Sequence, residues 1–105
     1  MIPSNDLTLN RLAGALKATY GGQLYEIIFF GSRARGDAAL ESDYDCLLVF
    51  REVTPALKRD LDRLASDWLL ESGIVFSWVA ISKSDLERFR YEPFIQNARR
   101  EGIIL

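Results

Sequence analysis

The sequence predicts a single α+β domain over residues 1–105, a small mixed β-sheet with helices packed on one face. Three observations lead there. Two runs rich in β-formers, Leu24–Phe30 and residues 43–50, lie close enough in the chain to pair with each other. A capped leucine stripe, Leu57, Leu61, Leu64 and Trp68, recurs at steps of four, three and four, the spacing of one buried helix face. A third β-rich run at 74–81 follows that helix, so helices and strands alternate without a repeat or a linker.

The remaining elements follow from their ends. A first helix is expected over 6–20, with Ser4 to Asp6 offering caps, Leu9, Leu12, Ala13 and Leu16 at helical spacing, and Gly21-Gly22 as the stop. Thr54-Pro55 opens the second helix, with Thr as cap and Pro at the first helical position, and Ser72-Gly73 closes it. Ser82 and Asp85 form an S-x-x-D start for a short helix whose Leu86 and Phe89 should face inward. The last helix begins near Pro93, should bury Phe94, Ile95 and Ala98, and stops at Gly102. Residues 103–105 should finish against the body.

Composition narrows the chemistry. The apolar share of 49% and the mixed charges, 27% of residues, describe an ordinary globular domain. A formal charge of -2 argues against general nucleic-acid binding, although Arg33 and Arg35 form a local basic pair. A single cysteine, Cys46, allows no intrachain disulfide. The absence of histidine removes Ser-His-Asp and Cys-His machinery and most zinc sites. Any metal should therefore be hard and oxygen-bound. No signal peptide or membrane span is legible, so the expected location is the cytoplasm and no membrane partner is expected.

The informative segment is FFGSRARGDAALESDYDCLLVF, residues 29–50. Asp43 and Asp45 stand two apart at the head of an apolar strand, so their side chains leave one face. Like charges held that close repel unless a cation lies between them, and carboxylate oxygens suit magnesium. Upstream, Gly31-Ser32 follows a strand directly. Backbone N–H groups at such a turn bind anions, and glycine leaves room for a phosphate. The Ser32 and Ser42 hydroxyls and the Arg33 and Arg35 guanidinia add donors. About ten residues separate Ser32 from Asp43, enough for the chain to return and lay the second strand beside the first. A phosphate cradle and metal ligands would then meet at one strand end, which describes a site for a metal-bound nucleotide. Phe29, Phe30 and Trp78 read chiefly as core aromatics, and Arg99 and Arg100 as a solvated helix face.

That segment resembles the signature of the minimal nucleotidyltransferases, small relatives of DNA polymerase β and of kanamycin nucleotidyltransferase. The shared pattern is G-S, a short spacer, then D-x-D entering a strand; the ending YEPFIQNARREGIIL is similar as well. The resemblance implies the nucleotidyltransferase fold and an enzyme that binds a nucleoside triphosphate with magnesium, two ions arriving with ATP. It assigns Asp43 and Asp45 to the metals and to catalysis, and Gly31, Ser32, Arg33, Arg35 and Ser42 to the nucleotide. It further implies transfer of a nucleoside monophosphate, AMP above all, to a protein hydroxyl, with a HEPN-domain protein as partner in a toxin–antitoxin pair. The alternatives it leaves are an antitoxin that acts by binding with little or no catalysis, and a small-molecule nucleotidyltransferase. One departure stands out. Family members commonly carry a third carboxylate on the next strand, whereas here Ser77 holds that place and no acid occurs between Glu71 and Asp85.

Overall fold

A computed structural model describes residues 7–30 and 44–105. Helix α1 (Leu7–Tyr20) buries Leu9, Leu12 and Leu16 and gives way to a 3-10 turn at Gly21–Gln23. Strand β1 (Leu24–Phe30) then runs into the core, and β2 (Tyr44–Phe50) returns antiparallel to it. Helix α2 (Pro55–Ser72) starts as its sequence dictates, with the Thr54 hydroxyl accepting from the Leu57 N–H. It ends at Gly73, whose left-handed φ of 69° lets its N–H reach the Leu69 carbonyl. Strand β3 (Phe76–Ser82) lies parallel to β2. Two short helices, α3 (Lys83–Arg88) and α4 (Pro93–Glu101), precede β4 (Ile103–Ile104).

The four strands form one mixed sheet in the order β3-β2-β1-β4. Residues 103–105 do finish against the body: Ile103 and Ile104 pair antiparallel with β1, and the Leu105 N–H donates to the Ile27 carbonyl. The expected α+β class and mixed sheet are what the chain adopts. The distribution of helices is the correction. Helices α1 and α2 cover one face with Leu9, Leu12, Leu16 and Leu61, while α3 and α4 pack Leu86, Ile95 and Ala98 on the other. The physical reason lies in the central strand. On β2, Cys46, Leu48 and Phe50 face the first layer and Leu47 and Val49 face the second, all fully buried, so both faces demand apolar cover.

Three boundaries or orientations differ from expectation. Strand β3 begins at Phe76 rather than Ile74, because the chain leaving Gly73 first uses the Val75 carbonyl to accept from the Tyr44 N–H. Phe89 is 40% exposed instead of inward, since α3 ends at Arg88 and the ring turns out beneath the Arg88 guanidinium, 5.1 Å away. Phe94 is 43% exposed, because Ile95 and Ala98, three apart, already define the buried stripe of α4. No helix among the described residues is long and apolar enough to cross a membrane.

Candidate active site at the β1–β2–β3 strand end

Of the residues singled out from sequence, Asp45 lies among the described residues; Gly31, Ser32, Arg33, Arg35, Ser42 and Asp43 lie outside them. Phe30 is the last residue of β1 and Tyr44 the first of β2, so the G-S and D-x-D motifs join the sheet at the same end. There Asp45 is paired in register with Phe30 on one side and with Ser77 on the other. Registered neighbours share a face of the pleat, so Phe30, Asp45 and Ser77 form one row across three strands.

The residues flanking this row explain why it holds its orientation. Tyr44 and Cys46 bracket Asp45, and Phe76 and Trp78 bracket Ser77; all four turn toward the α1–α2 layer. Their rings interlock. Tyr44 packs on Phe29 and Phe76 at centroid distances of 5.9 and 5.4 Å, Phe76 stacks on Trp78 at 5.7 Å, and Trp68 of α2 meets Phe76 edge-on at 5.3 Å. Aromatic contacts of this kind each contribute about 0.5–1.5 kcal/mol beyond area burial. A slip of one residue in β2 or β3 would move these rings out of the core, so the aromatic cluster fixes the register that presents Asp45 and Ser77.

A cleft of about 670 Å3 opens beside the row. Asp45 and Ser77 line it, with Phe30, Val79 and Phe94 on their own face of the sheet. Around the edge strand β3 the cleft reaches Asp62 and Ser66 of α2. Asp62 and Phe94 are the residues sequence reasoning missed as cleft-lining. Asp62 follows Leu61 directly on an otherwise ordinary amphipathic helix, and its place beside β3 depends on tertiary packing alone. For Phe94 a signal existed: Ile95 and Ala98 make the sharper stripe, and a neighbour one residue away points about 100° off it.

The donor set fits a hard cation in part. Asp45 supplies a carboxylate and Ser77 a hydroxyl, both oxygen donors. Among the described residues, no three Asp, Glu, Cys or His side chains gather into a metal-holding group.

The sequence profile of the nucleotidyltransferase domain family matches residues 9–101. The "Putative protein adenylyltransferase MJ0604" of Methanocaldococcus jannaschii is 31% identical over 97% of this chain and 98% of its own length. A crystal structure of a "putative nucleotidyltransferase" from Sulfolobus solfataricus is similar at 29% identity with a TM-score of 0.52, covering 78% of this chain and 71% of that one. Domains of this family generally use divalent metal ions and act on nucleoside triphosphates. With nearly the whole chain matched, and with the Asp45 carboxylate at the strand end where the sequence motifs enter the sheet, the chain belongs to the nucleotidyltransferase domain family, a family of nucleotidyl-transferring enzymes.

Proposed function

We propose that this protein binds magnesium-ATP at the β1–β2–β3 strand end and transfers AMP to a hydroxyl of a protein partner. The observation that carries the reading is the row of Phe30, Asp45 and Ser77 on the wall of an open cleft, with G-S and D-x-D attached at that same end. A protein acceptor is supported by the name of the M. jannaschii relative, a protein adenylyltransferase, which aligns over nearly the full length of both chains. A HEPN-domain protein is the partner that the sequence resemblance implies.

In the reaction, an acceptor oxygen attacks the α-phosphorus as the bond from that phosphorus to the bridging oxygen breaks, and pyrophosphate leaves with the bond electrons. The acceptor's proton passes to solvent or to a nearby oxygen base. Asp45, with Asp43 two residues before it, would hold the cation, whose chemistry is to offset charge on the phosphate oxygens. Gly31 and Ser32 would hold the phosphates from the adjoining turn, with Arg33, Arg35 and Ser42 as further donors. Ser77 offers its hydroxyl to the same site but brings no charge.

That last point favours a second reading, a binding protein of low turnover. An uncharged side chain in register with Asp45 leaves the site one carboxylate short of the family pattern. Titration calorimetry with magnesium-ATP tests the shared premise. The wild type should bind, and Asp45→Asn should weaken binding by on the order of 10-fold or more, the value of a charge-assisted ligand. Equal affinity in both would remove Asp45 from the site. ATP labelled at the α-phosphate then separates the two readings: label retained on the partner protein marks transfer, and binding without retained label marks the low-turnover antitoxin.

A further inference from the structure

Phe94 is an exposed aromatic side chain on the wall of the cleft. It stands in the first turn of α4, one position off the stripe that Ile95 and Ala98 bury, and 43% of it remains accessible. Its ring meets Phe30 edge-on, with centroids 5.4 Å apart and planes at 84°. Phe30 in turn is in register with Asp45. Carboxylate, inner ring and outer ring thus succeed one another along one wall of the cleft. Val79, 46% exposed and two residues beyond Ser77 on the same face, continues the apolar surface. Among the described residues, the cleft lining also has Asp62 and Ser66, which come from α2 on the far side of β3.

We propose that the ledge formed by Phe94 against Phe30 is the subsite for the nucleobase, and that it holds the base by stacking rather than by hydrogen bonds to its edges. The proposal rests on the nucleotide-binding reading above and assigns its specificity. A nucleotide whose phosphates lie at Asp45 brings its base to this ledge without leaving the cleft. Stacking on an aromatic face tolerates any base because every base has a π-face, and it favours the larger purines. Phe30, Val79 and Phe94 carry no donor or acceptor to read a Watson–Crick edge. The site should therefore rank ATP and GTP together, above CTP and UTP.

The test compares magnesium-ATP with magnesium-tripolyphosphate, a probe that keeps the phosphates and has no base. Phe94→Ala should lose ATP affinity by about 5- to 150-fold, the value of one base stack, and lose the purine preference. Its tripolyphosphate affinity should stay within about twofold of wild type. Phe94→Tyr, which keeps the ring, should bind ATP as wild type does, and matching far-ultraviolet circular dichroism for all three proteins shows the fold is intact. Wild-type ATP affinity in Phe94→Ala, with tripolyphosphate bound normally, would overturn the subsite and leave the nucleotide reading standing. So would a raised KM for the acceptor protein with unchanged ATP affinity, which would place the acceptor on the ledge. Failure of the wild type to bind tripolyphosphate or ATP would instead sink the nucleotide reading and the subsite with it.

Discussion

Cys46 follows Asp45 in sequence but turns the other way, into the layer beneath α1 and α2, where none of it is accessible. Burial, and secondarily the charge of Asp45, push its thiol up from 9.0 to about 12. The sign of the consequence is fixed. A proton held more tightly in the folded state gives stability that is fully present below about pH 9 and is lost as pH rises toward 12. Each pH unit in that window should cost about 1.4 kcal/mol. Cys46→Ala, though less stable at neutral pH because it leaves a cavity, should show a shallower decline in urea midpoints between pH 9 and 11. Parallel declines in the two proteins would show that the thiol is not what titrates. At this scale the sequence was legible wherever a residue's role follows from alternation. Asp45 and Cys46 must point opposite ways on a strand, and they do. Phe94 was legible only as the odd one out: α4 has two inward positions for three apolar candidates, and the three-residue spacing of Ile95 and Ala98 leaves Phe94 off the stripe.

Elements were most legible where their ends carry a specific device. Thr54-Pro55 and Gly73 fix α2 at both ends, and the Ser82 hydroxyl accepts from the Asp85 N–H as the S-x-x-D pattern requires. What the local sequence does not encode is which face an element covers. Helices α3 and α4 look like any short amphipathic segments, and only the two-sided burial of β2 draws them to the second face. Glycine shows the same divide between local rule and tertiary demand. Gly14, mid-helix in α1, has open space where a Cβ would stand, so Gly14→Ala should stabilise the domain by about 0.5–1 kcal/mol. Gly102 has an ordinary negative φ, yet a Cβ there would run into the Ala98 carbonyl oxygen and the Ile28 side chain. It is the close approach that carries the chain from α4 into β4. Gly102→Ala should therefore destabilise by about 1–3 kcal/mol through overpacking. Opposite shifts in melting temperature for the two variants check the argument; shifts of the same sign would contradict it.

For the molecule as a whole, the sheet brings together what the chain keeps more than thirty residues apart, and the pairing of Asp45 with Ser77 is the clearest case. Sequence order suggested that Ser77 stands where relatives carry an acid, and the parallel register puts it beside Asp45 on the exposed side of β3. Under the proposed function this has a thermodynamic signature. One carboxylate fewer means that free magnesium is held weakly, whereas ATP supplies the missing negative oxygens. Magnesium alone should then leave the melting temperature of the wild type nearly unchanged. Magnesium-ATP at about a hundredfold over its Kd should add roughly 2.7 kcal/mol, raising the melting temperature on the order of 10 °C. Ser77→Asp reverses the pattern. Without metal the new charge repels Asp45 across the strand pair, so the variant should melt lower than wild type. Magnesium alone should now restore it, because the ion bridges the two carboxylates, and any AMP transfer should quicken. Ser77→Ala, which adds no charge, should show no stabilisation by magnesium alone. If Ser77→Asp melts low and magnesium does nothing for it, the Asp45–Ser77 pair is not a metal position, and the cation site must be built from Asp45 and a different acid, with Asp37 or Glu71 the first to substitute.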